Sequence, residues 1–184
     1  LTGITVYRAA AFPRLRGKLL FAGNNVSKIW TLTLADNGDT VVPNSLTEFF
    51  SYSAGFTDVE VAPDGSLYLT CGASYAIPAS RILRLRPVAA AFTSTAPVDA
   101  TQDSPYVYTP AFSGTPPGLS LVSAPAGMIV DSSTWSVRWT PTNEQALQKT
   151  HNVTLRAENG AGTVDQVFTV AVANVNDQPE AVSL

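Results

Sequence analysis

The sequence predicts an all-β fold built from two units, and three observations support this. Thirteen Pro and twelve Gly among 184 residues indicate many turns. No segment keeps the apolar period of about 3.6 residues that a long helix requires. The charge is also uneven: residues 1–87 carry eight Lys and Arg against six Asp and Glu, whereas residues 88–184 carry three against eight. This shift in composition predicts a boundary between two domains.

The first domain, residues 1–87, consists of short apolar segments separated by turns. The clearest segment is FTDVEVAPDGSLYLTC at 56–71, where Val59 and Val61 alternate with charged residues before Pro63-Asp64-Gly65 reverses the chain. A two-stranded hairpin is marginally stable alone, so it must belong to a larger body. Strands are predicted near 4–8, 17–23, 28–34, 47–50, 57–62, 66–71 and 81–86.

The second domain, residues 97–184, follows a predicted linker at 88–96, where small residues lie between two prolines. Its strands are short and separated by turn residues, a spacing typical of a β-sandwich. Strands are predicted near 97–101, 105–112, 118–122, 127–130, 135–140, 151–158 and 164–174.

Candidate catalytic residues are few. His151 is the only histidine and Cys71 the only cysteine, and they lie in different domains. The pattern therefore favours no Cys-His or Ser-His arrangement. His151 lies on the inward parity of its strand with Val153 and Leu155, which predicts a hydrogen-bonded residue at the edge of the core. Cys71 and Trp139 are predicted core residues.

The first domain resembles the C-terminal end of glucose/sorbosone dehydrogenase-like β-propellers. The shared features are Tyr7-Arg8, Phe12-Pro13, Gly17 with Leu19-Leu20-Phe21, Ile29-Trp30 and the 58–69 hairpin. A propeller blade takes about 40–50 residues. The resemblance therefore implies a partial propeller of about two blades, with the remaining blades elsewhere in a longer chain.

Known members of that family oxidise sugars with pyrroloquinoline quinone, whose carboxylates are held by one lysine and two arginines. The aligned positions here are Asn25, Gly55 and Thr57, while Lys28 lies three residues further along the same strand as Asn25. The expected cofactor cations are thus replaced. The comparison leans toward a protein that is not an enzyme, and the quinone belongs only to an alternative in which this is the tail of a sugar dehydrogenase.

The second domain resembles a bacterial Ig-like domain of the cadherin-like superfamily. The resemblance rests on PAGMIVDSSTWSVRWTPTNEQ, on HNVTLRAENGAGTVDQVFTVAVANVNDQP, and on the exit NVNDQP. It implies an Ig-like sandwich, although Trp135 stands where the family usually has a glycine. In calcium-binding members, oxygen ligands converge at one end of the sandwich. The matching positions here are Asp103, Glu144, Asn174, Asn176 and Asp177.

Together the two resemblances predict a non-catalytic fragment of a large secreted or cell-surface bacterial protein, with a role in binding, adhesion or spacing. The expected location is extracellular, at the cell surface or periplasmic. The expected partners are other domains of the same longer chain and a carbohydrate or protein ligand. The chain lacks the basic stripe that nucleic-acid binding requires, and no apolar run is long enough for insertion into a membrane.

Overall fold

The computed structural model describes residues 3–23, 26–36, 38–72 and 80–176. Within these residues the chain is all-β, as predicted, with several open sheets and one six-residue α-helix. Two compact units are present. Unit 1 comprises residues 3–89 together with Gly114–Pro117 and Asn159–Gly162, and unit 2 comprises Ala90–Ser113, Gly118–Glu158 and 163–176.

Unit 1 contains two antiparallel sheets and a 3₁₀ turn at Pro13–Leu15. Each of its predicted strands is present, with ends that differ by one or two residues. Sheet I consists of β1 (Ile4–Val6), β2 (Lys18–Gly23), β3 (Lys28–Thr33) and β4 (Thr47–Ser51), in that spatial order. Sheet II consists of β5 (Phe56–Val61), β6 (Leu67–Cys71) and β7 (Arg81–Leu85).

The core of unit 1 takes side chains from both sheets. Leu20 and Ile29 of sheet I and Val59 and Leu69 of sheet II are fully buried in one cluster. Buried and more exposed residues alternate along β6, as expected when one face of a strand points inward. Cys71 belongs to the same cluster at 2% exposure, so its predicted role as a small core residue is confirmed.

The turn between β5 and β6 is held by a buried tyrosine. Gly65 has a φ of 79°, a conformation that favours glycine, and a side chain there would come within 2.6 Å of the Ala11 Cβ. The Tyr7 hydroxyl donates a hydrogen bond to the Gly65 carbonyl at 2.7 Å and accepts one from the Phe12 amide at 3.1 Å. The hairpin is thereby tied to the segment that follows β1.

Unit 2 contains two larger sheets and a short ribbon. Sheet III has the order β10 (Tyr106–Tyr108), β14 (Ser136–Trp139), β13 (Ile129–Asp131). Sheet IV has the order β12 (Gly118–Ser123), β15 (Thr150–Asn159), β16 (Gly162–Ala173), β9 (Asp99–Thr101), and β9 runs parallel to β16. The ribbon pairs β8 (Ala91–Phe92) with β11 (Phe112–Ser113), and the helix α1 spans Asn143–Gln148.

Sheets III and IV share one core. Val137 and Trp139 of sheet III and Leu155 and Val170 of sheet IV are buried in the same cluster. Trp139 is 3% exposed, which confirms its prediction as a core aromatic. Alternate residues of β15 and β16 point into this cluster, whereas the intervening ones are mostly polar and more exposed.

Unit 2 differs from the sequence prediction in three places. The predicted linker 88–96 contains the strand β8, because Phe92 packs on the core of unit 2 and lies 4.8 Å from the Phe112 ring centroid. The predicted strand 105–112 is divided into β10 and β11, with Pro110, which cannot donate to a ladder, between them. The helix α1 was not predicted.

Trp135 takes an unusual backbone conformation at the entry to β14. Its φ is 51°, in the left-handed region where glycine is favoured. A large residue thus holds a glycine-like backbone geometry at this turn.

Candidate functional site

The positions aligned with the quinone-binding residues are uncharged where they are described. Asn25 lies outside the described residues. The Gly55 carbonyl accepts a hydrogen bond from the Gly72 amide at 3.2 Å. The Thr57 hydroxyl is hydrogen-bonded to the Thr70 hydroxyl at 2.8 Å. Gly55 and Thr57 therefore offer no positive charge to a carboxylate ligand.

Lys28 on β3 is already engaged with other groups of the protein. Its ammonium lies 2.5 Å from Glu48 Oε2 and 5.3 Å from the centroid of the Trp30 ring. The hydrogen bond from Lys28 lowers the pKa of the Glu48 carboxyl and so favours its ionised form. A carboxylate ligand would have to compete with Glu48 for this ammonium.

Three chain segments meet at one end of sheet IV, which we call the pole. The backbone amide of Gln102, directly after β9, donates to the Ala173 carbonyl at 3.0 Å. The amide of Asp103 donates to the Pro141 carbonyl at 2.9 Å. The pole therefore joins the segments after β9, β14 and β16, which are the segments that carry the predicted calcium ligands.

Gln102 organises the pole and was missed by sequence reasoning. Its side chain is 2% exposed, donates to Asp103 Oδ2 at 3.0 Å and accepts from the Val175 amide at 3.2 Å. Asn174 Nδ2 likewise donates to Asn143 Oδ1 at 3.3 Å. No local pattern marks Gln102, since the Ala173 and Val175 groups that it contacts are distant in sequence.

The helix α1, in contrast, carries a readable signal. Thr142 and Gln145 form a capping box, in which the Thr142 hydroxyl accepts from the Gln145 amide and the Gln145 side chain accepts from the Thr142 amide. The sequence Thr-Asn-Glu-Gln matches this motif, so the helix start could have been found. It places Glu144 in the first turn of α1.

The predicted calcium ligands are only partly accounted for. Asp103, Glu144, Asn174 and Asn176 are exposed residues, and Asp177 lies outside the described residues. Over the described ranges, no group of three or more His, Cys, Asp and Glu side chains is arranged to hold a metal ion. Calcium binding at the pole therefore stays a prediction.

His151 lines an open pocket beside α1, together with Thr142, Glu144 and Gln148. The pocket volume is about 480 Å³. His151 is 9% exposed, and its Nε2 donates to the Gln145 carbonyl at 2.9 Å. The ring packs edge-on against Trp139 at 5.2 Å. The prediction of a hydrogen-bonded residue at the core edge is confirmed.

Neither a protein-family model nor a curated protein sequence matches this chain. Similar solved structures include a putative α-galactosidase from Bacteroides fragilis, with 23% identity, a TM-score of 0.39, and coverage of 46% of this chain and 17% of that one. An endo-fucoidan hydrolase of glycoside hydrolase family 107 has 14% identity, a TM-score of 0.36 and coverages of 60% and 19%.

The immunoglobulin domains 1–5 of Sidekick-1 match with 15% identity, a TM-score of 0.38 and coverages of 74% and 29%. The chain thus spans less than a third of each of these three proteins. Among the residues that the structure describes, no helix has the length and apolar character needed to cross a membrane.

Proposed function

We propose that this chain is a non-catalytic part of a large secreted or cell-surface bacterial protein, extracellular or periplasmic in location. In this proposal, unit 1 supplies about two blades of a glucose/sorbosone dehydrogenase-like β-propeller. Unit 2 is an Ig-like module of the cadherin-like superfamily. The chain acts in binding or adhesion, or as a spacer, and its partners are other domains of the longer chain and a carbohydrate or protein ligand.

One observation carries the non-catalytic part of this proposal. The quinone carboxylates require cations, but Gly55 and Thr57 are neutral and hydrogen-bonded within the fold. The ammonium of Lys28 is paired with Glu48. An ion pair that already satisfies a lysine makes it a poor additional anion site.

The test is a dye-reduction assay on the longest natural chain that contains these residues, supplied with pyrroloquinoline quinone, calcium and a panel of aldoses. We expect no sugar-dependent reduction. The competing function is that of a quinone-dependent sugar dehydrogenase. The observation that favours it is the presence of Lys28 on β3. Reduction that is lost in Lys28→Ala but kept in Arg156→Ala, a control on unit 2, would establish that alternative.

We also propose weak calcium binding at the pole of unit 2. The proposal draws on the hydrogen bonds that join the segments of Asp103, Pro141 and Ala173, because a hard cation is held by oxygen atoms from several segments. Extracellular modules bind calcium with dissociation constants of about 0.1–1 mM. Stability should therefore rise by about 1.4 kcal/mol at ten times the dissociation constant.

The measurement is the unfolding of the chain in 10 mM calcium and in chelator. Asp103→Asn should abolish the difference. The control is Asp131→Asn, because the Asp131 carboxylate is bound to Ser133 and Arg138 away from the pole. Identical unfolding curves with calcium and with chelator would remove calcium from the proposal.

A further inference from the structure

Unit 1 contains a pocket at the end of sheet I where β2 and β4 begin, with a volume of about 190 Å³. We call it the cationic pocket. A cavity of about 150 Å³ with apolar walls holds one benzene molecule. The cationic pocket therefore has room for a ligand with a single ring, but it is too small to enclose the three fused rings of pyrroloquinoline quinone. It also lies away from the position aligned with the quinone lysine, since Lys18 begins β2 and Asn25 follows the other end of that strand.

Part of the lining of the cationic pocket is apolar. Phe12 and Leu15 come from the segment around the 3₁₀ turn, Phe49 from β4, and Pro116 from the segment 114–117 of unit 1. The Phe12 and Phe49 rings meet edge to face, with 6.0 Å between their centroids. Walls of this kind bind the apolar body of a small ligand and leave its polar groups to a few side chains.

Two threonines supply neutral polar groups to the lining. Thr31 and Thr47 are directly opposed on β3 and β4, and their hydroxyl oxygens are 2.7 Å apart. Each hydroxyl has one donor and two acceptor positions, so the bond between them does not use their full capacity. The pair can therefore also bond a polar atom of a ligand.

Two cationic side chains, Arg14 of the 3₁₀ turn and Lys18 of β2, line the same pocket, and both are half-buried. Arg14 Nε donates to the Pro117 carbonyl at 3.0 Å, which holds the guanidinium at the pocket. Among the residues that the structure describes, none forms a hydrogen bond or an ion pair with the side chain of Lys18. The Lys18 ammonium is thus available to a ligand.

The charges of the lining do not cancel. Of the described residues that line the pocket, Glu48 carries a negative charge, and its carboxylate is already paired with Lys28. Burial lowers the pKa of Arg14, because the charged guanidinium is partly withdrawn from water. Arginine nevertheless stays protonated in proteins. A bound anion would compensate the cost of burying this charge.

We infer that the cationic pocket binds a small carboxylate built on one ring. The carboxylate lies at Arg14 and Lys18, where charge-assisted hydrogen bonds are strong, and the ring packs against Phe12 and Phe49. Aromatic acids and the sugar acids called hexuronates share this chemistry. The inference goes beyond the proposed function and does not depend on it, because it concerns the ligand of a pocket that the quinone positions do not share.

The experiment measures the dissociation constants of benzoate and glucuronate for the present chain by isothermal titration calorimetry. Ionic strength is kept constant, because salt screens charge interactions. Benzyl alcohol and glucose are the neutral counterparts, and acetate is the carboxylate without a ring. We expect one of the two ring carboxylates to bind at least about tenfold more tightly than its neutral counterpart and than acetate. The one that binds more tightly distinguishes an aromatic acid from a sugar acid.

Variants of the two cations test the assignment of residues. Lys18→Gln and Arg14→Gln should each weaken carboxylate binding by at least about tenfold and leave binding of the neutral counterpart unchanged. Lys18→Arg should keep the affinity, because it keeps the cation. The matched control is Arg16→Gln, which removes the same charge at an exposed position between them that does not line the pocket. If Arg14→Gln does not fold, Lys18→Gln and Lys18→Arg decide.

Three results would overturn the inference. The first is that neither ring carboxylate binds at about 10 mM, which would also leave the melting temperature unchanged. The second is that acetate or the neutral counterpart binds as tightly as the ring carboxylate. The third is that Arg16→Gln weakens binding as much as Lys18→Gln, as expected for attraction by net charge alone. Quinone-dependent sugar oxidation would refute the proposed non-catalytic function without changing any of these measurements.

Discussion

Sheet I of unit 1 and sheet IV of unit 2 differ in how polar and apolar residues are distributed over their two faces. On β15 of sheet IV, Val153 and Leu155 are fully buried, whereas Thr154 and Arg156, which alternate with them, are polar and partly exposed. On β2 of sheet I, both Leu20 and its neighbour Phe21 are apolar. At these positions sheet IV is therefore apolar on one face, whereas sheet I is apolar on both.

The largest expected effect comes from the covered face of sheet IV. Leu155→Ala should destabilise unit 2 by about 2–5 kcal/mol, because it leaves a cavity in a packed core. Thr154→Ala, one residue away on the other face, should change the free energy of unfolding by less than about 0.5 kcal/mol. The free energies of unfolding of the two variants are compared by denaturant titration, with the tryptophan fluorescence of unit 2 as the signal. Similar losses for both variants would contradict the one-sided arrangement.

A corresponding pair of substitutions on sheet I should also differ in their effect on the free energy of unfolding. Leu20→Ala should destabilise unit 1 by about 2–5 kcal/mol, whereas Phe21→Thr should cost no more than about 1 kcal/mol, because nothing in the described chain buries Phe21 fully. The loss of stability in each variant is measured by hydrogen exchange in peptides from unit 1. If Phe21→Thr proves as costly as Leu20→Ala, the face of sheet I that carries Phe21 is already covered in this chain.

Two buried tyrosines, one in each unit, should make stability fall at alkaline pH. Burial, with a smaller effect of Tyr108, raises the pKa of Tyr106 to about 12, and burial also raises the pKa of Tyr7. A raised pKa means that the folded state retains the proton, so the stabilisation is complete below pH 10 and is lost as the pH rises toward the folded-state value.

The measurement is unfolding between pH 9 and 12 with each tyrosine replaced by phenylalanine. Tyr106→Phe loses the hydrogen bond to the Pro97 carbonyl, 2.9 Å long, and should cost about 0.5–1.5 kcal/mol at neutral pH. It should also reduce the loss of stability of unit 2 at alkaline pH, and Tyr7→Phe should do the same for unit 1. An unchanged pH profile in both variants would refute the assignment.

The smallest effect is expected from the polar face of sheet IV. Arg156 makes two hydrogen bonds to Asp165, each 2.8 Å long, but the pair is solvent-exposed and screened by salt. The hydrogen bond from Arg156 lowers the pKa of Asp165, so its stabilisation is present at neutral pH and is lost as the pH falls through the folded-state value. Arg156→Ala should reduce the loss of stability at acid pH. A large loss of stability at neutral pH in high salt would contradict the expectation that this effect is the smallest.

Much of the strand pattern was predictable because it depends on neighbouring residues. The alternation at His151, Val153 and Leu155 correctly predicted the inward face of β15. The turn after Val61 followed from Pro63-Asp64-Gly65. The division of strand 105–112 and the helix α1 were missed, although Pro110 and the Thr142 capping box are local signals for both.

The candidate sites were less predictable. The segments after β9 and β16 meet because these two strands pair in parallel, but the contacts of Gln102 join residues 73 positions apart in sequence. The pairing of Lys28 with Glu48 likewise depends on the register of β3 and β4. Such contacts follow from strand pairing rather than from any local pattern.

The sequence by itself determined the all-β class, most strand positions and the glycine turn at Gly65, because side-chain alternation and backbone preferences act over a few residues. Where both faces of a strand are apolar, as on β2, only the tertiary structure decided which face is covered. Leu20 and Phe21 are both apolar, yet one is buried and the other is not. Burial depends on which distant strand packs against a face, and that is a property of the assembled chain.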